Sequence, residues 1–233
     1  MPCSSYPHGF YLAFSTQQTC ITNEIITMTD TLDSSPSWHA CLRQHTAAAH
    51  QALEHAAPLR RLVAADLSRV EYGGLLARFW GFLAPLEPLL RERLAHSTWL
   101  VFVDPALRLD GLHADLHLLG IDPAGLPVAK GDWLAADPAA AVGVLYVLLG
   151  STLGGQVIIR ALGKSLGLSA ASGAAYHAAE AARAERAWPR FLATLDATPW
   201  NTSAARTLQT AAVATFQHFQ DWLEQPIPTE ERL

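Results

Sequence analysis

A histidine in the first quarter of the chain lies among residues that could hold a metal-centred ligand. His50 stands in an alanine-rich stretch, seven residues after Arg43 and four before Glu54. At about 100° per residue, a helix places these three side chains in one narrow stripe. A neutral imidazole can ligate iron through one ring nitrogen while the other donates to an acceptor such as Glu54. Arg43 could pair with a carboxylate of the same ligand.

Ordinary explanations of the histidines stay open. The chain has ten of them, so a well-placed histidine can arise by chance, and a helical histidine is more often a plain core or surface residue. His113 and His117 are spaced i and i+4, as metal ligands on a helix often are. With Asp115 between them, we interpret this pair as a solvated polar face.

Three glycines interrupt the most apolar part of the chain, between Tyr146 and Gln156. Gly150, Gly154 and Gly155 each cost about 1 kcal/mol relative to alanine inside a helix. Close packing of two helices would explain them, and so would close approach of the backbone to a flat ligand at a bend in the helix. Spacing alone does not decide. Ser151 adds a small hydroxyl that suits hydrogen bonding to a diatomic molecule or a water.

Helices are the elements that must position these residues. Ser37 predicts the N-cap of a first helix, and Ser68 with Glu71 predicts a capping box at the start of a second. Pro85 and Pro88 are expected to kink the second helix. Four more helices are expected. One covers 112–119, with Asp110 as cap and Gly120 as stop, and a long one runs from Asp137-Pro138 to about Leu166, with Gly167 as stop. A third covers 172–195 and bends at Pro189, and the last begins at Thr202 or Ser203.

These patterns predict an all-α fold class with one multi-helix domain over residues 38–226. Residues 1–37 lack sustained periodicity, which predicts a partly disordered N-terminal extension, and residues 227–233 form a C-terminal tail. Half of the residues are hydrophobic and 16% are charged, which allows a large core. No run of alternating β-branched residues competes with the helices.

Composition argues against several classes of partner. The net charge of −5 and the scattered basic residues exclude a nucleic-acid stripe. The longest apolar stretch, 139–149, is shorter than the ~20 residues that cross a bilayer, and Arg43, the first basic residue, comes too late for a signal peptide. The three cysteines, Cys3, Cys20 and Cys41, have no metal-ligand spacing. We therefore expect a cytoplasmic protein with no membrane or nucleic-acid partner.

Together the motifs resemble the heme oxygenase family, particularly the bacterial branch found alongside phytochromes. The resemblance covers about residues 38–225. Its parts are Leu42 to Thr46 leading to His50 and Glu54; Tyr72 to Glu87; Leu112 to Gly120; Gly150 to Gln156, which is similar to the family's distal-helix signature; and the weaker aromatic pair Trp188 and Phe191.

The resemblance implies that heme is both substrate and cofactor, bound between the first helix and the glycine helix. His50 would be the proximal iron ligand, and Arg43 would contact a propionate. The catalytic distal side would consist of Gly150, Ser151, Gly154 and Gly155. The implied reaction uses O₂ and electrons to open the ring at a meso carbon, by default the α carbon, giving biliverdin, CO and Fe²⁺. A ferredoxin or a reductase would supply electrons, and a phytochrome would receive biliverdin.

The sequence departs from the family pattern at two places. Leu149 stands where phytochrome-associated members often carry an acidic residue, which bears on turnover and regiochemistry. The second basic anchor, near Trp188, does not align cleanly with any one of Arg183, Arg186 and Arg190. We favour Arg186 as the second residue that binds the cofactor.

Two other functions share parts of this pattern. A heme carrier, store or gas sensor would use His50 and the glycines without turnover. A non-heme or di-iron protein on a similar scaffold needs several inward carboxylates and histidines on facing helices. Apart from Glu54, Glu87 and Glu180, few acidic residues lie on apolar stripes, which makes the di-iron alternative the weaker of the two.

Overall fold

The computed structural model describes residues 37–225, except for the side chains of 152–153 and 179–185. Within that range all regular structure is helical, as predicted. The α-helices are α1 (Trp38–His55), α2 (Ala57–Arg61), α3 (Arg69–Leu83), α4 (Leu86–Leu94), α5 (Val103–Leu107), α6 (Leu109–Leu118), α7 (Pro138–Gly150), α8 (Gly155–Leu166), α9 (Ala175–Ala197) and α10 (Thr202–Glu224). The predicted extension, with Cys3 and Cys20, and the C-terminal tail lie outside the described residues.

Three of the predicted helix starts are confirmed by side chains that accept hydrogen bonds from the free N–H groups of the first turn. Ser37 Oγ accepts from the Ala40 N–H at 3.2 Å. Ser68 forms the full capping box with Glu71. Asp137 Oδ1 accepts from the Ala139 N–H at 2.7 Å, and proline occupies the first position of α7.

The two predicted stop signals are also confirmed. Gly120 and Gly167 adopt left-handed conformations, with φ of 75° and 68°, directly after the last turns of α6 and α8. Glycine alone adopts this conformation without a steric penalty from a Cβ atom. Each glycine therefore ends its helix where the sequence predicted.

Several boundaries differ from the prediction. The second predicted helix is divided at Pro85, the N-cap residue of α4, while Pro88 causes no kink because it lies in the first turn of α4. There a missing N–H costs nothing. Helix α6 begins at Leu109 rather than Leu112, after Arg108 in a left-handed conformation. Pro189 lies inside α9, which begins at Ala175 rather than at residue 172.

The core is built around α7, in which every residue from Ala139 to Leu149 is buried. Helix α10 packs closely along it and also against α1. The approach is closest at Gly143, where an added Cβ would overlap the Leu208 carbonyl oxygen and come within 3.0 Å of the Ala212 nitrogen. This glycine lets the backbones of α7 and α10 meet.

None of the described helices is by itself long and apolar enough to cross a bilayer. Helices α7 and α8 reach that length and apolarity only when taken together, across a bend of 45°.

We expect Gly143→Ala to lower the free energy of unfolding by about 1–3 kcal/mol, because the new methyl group meets backbone atoms of α10 that cannot rotate away. The matched control is Gly74→Ala in α3, where an added Cβ meets nothing within 4 Å. There alanine should stabilise by about 0.5–1 kcal/mol through helix propensity. Urea unfolding of both variants measures the difference, and equal effects would contradict the packing.

Candidate active site

The predicted stripe of α1 lies at the protein surface. Arg43, His50 and Glu54 are all exposed, while Leu42 and Leu53 on the neighbouring face are buried. The His50 side chain is 54% exposed, and its Nε2 lies 3.7 Å from Glu54 Oε1. That separation is an electrostatic contact rather than a hydrogen bond. The His50 ring also meets Phe216 of α10 edge-on, at 5.4 Å between centroids.

Residues not identified from the sequence show which way this stripe faces. His39 lies one turn before Arg43, on the same side of α1 as His50. Its ring packs against Trp188 of α9 at 5.6 Å, and its Nδ1 lies 3.4 Å from the hydroxyl oxygen of Tyr146 in α7. His39 and His50 are separated by eleven residues, which is about three helical turns and about 16 Å. At its N-terminal end this face of α1 therefore meets α7 and α9, whereas at His50 it meets α10.

The three predicted glycines come together at a break in the helix. Helix α7 ends at Gly150, a 3-10 segment covers Ser151–Gly154, and α8 begins at Gly155, with a bend of 45° between α7 and α8. The sequence predicted one long helix with a bend at the glycines. The bend is confirmed, and it is sharp enough to divide the helix in two.

Neither backbone conformation nor packing among the described residues requires glycine at two of these positions. Gly150 is helical, and Gly154 has φ of −81°, which any residue adopts. An added Cβ at Gly150 would make ordinary contact with the Trp188 ring at 3.5 Å, and one at Gly154 would meet nothing within 4 Å. Gly143 differs, because an added Cβ there would overlap the backbone of α10. Among the described residues, close packing therefore does not explain Gly150 and Gly154, and the approach of a ligand stays as the other explanation.

The remaining predicted residues lie near the same break. Ser151 is exposed, and its hydroxyl donates to the Leu148 carbonyl oxygen at 2.8 Å. Trp188 and Phe191 stack at 5.8 Å between ring centroids, and Trp188 covers Gly150. Arg186 is exposed on α9. Within the described residues, His50 contacts α10 and its own helix, whereas Gly150 contacts α9. The two halves of the predicted site thus have different neighbours.

Comparison with known proteins identifies the family. Residues 37–225 match the sequence model of the family described as Heme oxygenase. This chain belongs to the heme oxygenase family. A heme oxygenase from Xanthomonas campestris pv. campestris (strain 8004) is 35% identical over 161 residues, covering 65% of this chain and 88% of the relative.

Solved heme oxygenases share the fold. The structure of the enzyme from Leptospira interrogans superposes with a TM-score of 0.66 at 20% identity, covering 82% of this chain and all of that one. Heme oxygenase-1 from the cyanobacterium Synechocystis sp. PCC6803, solved in complex with heme, gives a TM-score of 0.63 at 16% identity, covering 82% of this chain and 92% of that one.

Family membership gives the reaction. The chain is an oxidoreductase that binds heme as its substrate and, with O₂ and electrons, converts it to biliverdin, CO and Fe²⁺. A heme oxygenase needs a surface that a flat macrocycle can approach closely. Gly150, Gly154 and the exposed imidazole of His50 are the candidate residues for such a surface.

One prediction near the site was wrong. His113 and His117 are exposed as interpreted, but Asp115 between them is fully buried. Its two carboxylate oxygens accept the backbone N–H groups of Ala175 and Tyr176 at 2.8 Å each, and so cap the start of α9. Burial raises the pKa of this carboxyl, and the two N–H donors oppose the rise. The sequence signal was its place beside Leu112 and Leu116 on an apolar stripe.

The di-iron alternative gains no support from the described residues, in which no three His, Cys, Asp or Glu side chains are grouped to hold a metal ion. Glu54 is exposed beside His50, and Glu87 pairs with Arg91 at 3.0 Å. The side chain of Glu180 lies outside the described part of the chain.

Burial is the main cause that lowers the pKa of His39, the positive charge of Arg43 adds to it, and Asp196 opposes it. A lowered pKa means that the folded state binds a proton at His39 less readily than the unfolded chain does. The contribution of His39 to the free energy of unfolding is therefore present above pH 6.5 and is lost as the pH falls below that value. We expect His39→Gln to lose less unfolding free energy than wild type between about pH 7.5 and about pH 5. His45→Gln, an exposed histidine of α1, is the control. Equal acid sensitivity of wild type and His39→Gln, in urea unfolding at both pH values, would contradict this assignment.

Proposed function

We propose that this heme oxygenase binds heme between the His50 stripe of α1 and the glycine break, with His50 as the ligand of the iron. The observation that carries the proposal is the pair of glycines, Gly150 and Gly154, for which the described residues give no packing or conformational reason. Because glycine has no side chain, the backbone is bare at these two positions. A bare backbone allows a porphyrin to approach closely.

The polar side chains along the stripe fit the rest of the ligand. Arg43 and Arg186 are exposed and are proposed to hold the two propionates through charge-assisted hydrogen bonds. Glu54 lies close enough to His50 to orient its imidazole after a small movement. A neutral imidazole, unlike a thiolate, does not push electron density onto bound oxygen. These side chains therefore suit heme.

Bound heme supplies the iron at which O₂ is reduced and the carbon that is oxidised, which we propose is the α-meso carbon. The chain's own contribution on the distal side is small and polar. Ser151 and the carbonyl groups of the break are proposed to hold an ordered water that delivers protons. Trp188 packs against both His39 and Gly150 and is proposed to close that end of the heme site to solvent.

The reaction consumes electrons, so a protein donor is required. We propose a ferredoxin or a reductase as that donor, a phytochrome as the receiver of biliverdin, and the cytoplasm as the location. These assignments depend on the resemblance to the phytochrome-associated branch.

We expect His50→Ala to weaken heme binding by more than about tenfold, because the iron loses its protein ligand. Wild type should give a six-coordinate ferric spectrum with histidine and water as ligands, and the variant should lose it. His45→Ala and His55→Ala remove exposed histidines of the same helix and serve as controls. Heme titration followed by absorption spectroscopy measures all four proteins. A wild-type spectrum in His50→Ala would exclude His50 as the ligand.

We expect Gly154→Leu to fold normally, because an added Cβ meets none of the described residues within 4 Å. The variant should raise the dissociation constant of heme by about tenfold or more, because the new side chain occupies the proposed heme site. Gly163→Leu, at an exposed position of α8, is the matched control. Turnover is followed after anaerobic reduction by adding O₂ with ascorbate or a ferredoxin system, as loss of the Soret band and growth of a biliverdin band. A Gly154→Leu protein with wild-type affinity and turnover would place heme elsewhere.

A further inference from the structure

Arg108 is a buried cation at the end of α7, beside the glycine break. It precedes α6 and is the one non-glycine residue within 37–225 with positive φ, at 54°. Its side chain is among the largest that are fully buried, and only 2% of the residue is exposed. Both features are unfavourable for arginine, since left-handed conformation is strained and buried charge is costly. Their combination indicates that the side chain is needed where it lies.

The guanidinium reaches a carbonyl group in the last turn of α7. Nη1 donates to the Leu148 carbonyl oxygen at 3.3 Å, and Nη2 donates to the Tyr176 hydroxyl oxygen at 2.9 Å. The guanidinium also lies 4.9 Å from the centroid of the Tyr176 ring. A cation near the last carbonyl groups of a helix interacts favourably with the helix dipole. Arg108 therefore ties the end of α7 to the first turn of α9.

Tyr176 is itself held by a residue of α6. The backbone N–H of Tyr176 donates to Asp115, whose carboxylate caps α9. The buried chain of contacts thus runs from Asp115 through Tyr176 and Arg108 to Leu148. It joins the start of α9 to the end of α7, at the glycine break.

Ser151 is oriented by the same contacts. Its hydroxyl proton is committed to the Leu148 carbonyl oxygen, and Nη2 of Arg108 lies 3.5 Å from its Oγ, the outer limit of a hydrogen bond. A hydroxyl has one proton and two lone pairs. With the proton used and one lone pair turned toward Arg108, Ser151 presents only an acceptor toward the proposed heme site.

The geometry points to Arg108 as the positioning residue of the distal side: it fixes the 3-10 segment at Leu148 and Ser151, makes Ser151 a hydrogen-bond acceptor, and places a permanent positive charge beside the site of oxygen reduction. Such a charge favours the negative charge that oxygen acquires on reduction. This inference rests on the proposed placement of heme. Arg108 does not need to touch heme or oxygen to act in this way.

The test uses three variants and one control. Arg108→Met removes the charge and all donors, and Arg108→Lys keeps the charge without the planar fork. Tyr176→Phe keeps the ring beneath the guanidinium and removes only the hydroxyl that anchors it. The control is Arg93→Met. Arg93, like Arg108, donates to backbone carbonyl oxygens, in its case those of Leu89, Leu134 and Ala135, but it lies away from the glycines.

Hydrogen exchange of the protein without heme gives the first readout. In Arg108→Met, amides of residues 147–156 should exchange about tenfold faster, because a charge-assisted contact is lost, while those of α1 are unchanged. Tyr176→Phe should show a smaller increase in the same segment, and Arg93→Met none. Unchanged exchange at 147–156 in folded Arg108→Met overturns the inference. If Arg108→Met does not fold, unchanged exchange in both Tyr176→Phe and Arg108→Lys overturns it.

The CO stretching frequency of the ferrous heme complex gives the second readout. A nearby positive charge lowers this frequency, so Arg108→Met should shift it upward and Arg108→Lys should restore part of the shift. Turnover of Arg108→Met should fall about tenfold with heme affinity within about threefold of wild type. An unshifted frequency in folded Arg108→Met overturns the electrostatic role. If instead His50→Ala retains heme, the proposed placement fails, while the exchange data still report on the Arg108 anchor.

Discussion

The structure depends on one constraint, the complete burial of α7 and its interruption by glycines. A helix with every residue from Ala139 to Leu149 buried has no polar face, so it can occupy only the centre of the fold. At Gly150 the chain leaves this environment and bends by 45°. The core helix thus ends at the segment where we propose that heme binds.

The other helices are arranged around this end of α7. Helix α10 packs along it at Gly143 and also supports α1, whose His50 ring meets Phe216. Helix α9 contributes Trp188 to cover Gly150 on one side. Arg108 donates hydrogen bonds to the carbonyl end of α7 and to Tyr176 of α9, and so holds the two helices together there. A segment with several glycines is weak as a helix, and these neighbours supply the order that its own sequence lacks.

Local chemistry made much of the fold and half of the site predictable. Helix starts are predicted by Ser37, Ser68 and Asp137, because their side chains accept hydrogen bonds from first-turn N–H groups that have no partner within the helix. Helix ends are predicted by Gly120 and Gly167, because glycine adopts positive φ without a steric penalty. The stripe of Arg43, His50 and Glu54 follows from helical periodicity, and the cost of three glycines in an apolar helix indicates a special segment. Pro88 and Asp115 were misread, because their roles depend on where a helix begins and what packs against it.

The sequence by itself determined the all-helical class, the main caps and stops, the shared face of His50 and Arg43, and the glycine break, since each depends on residues within a few positions of one another. Only the tertiary structure decided which glycines serve packing, as Gly143 does, and which leave open space, as Gly154 does. It alone brought Arg108 to Leu148 and Ser151, and His39 to Trp188. These pairs join residues 40 or more positions apart, and no local preference encodes contacts at that separation.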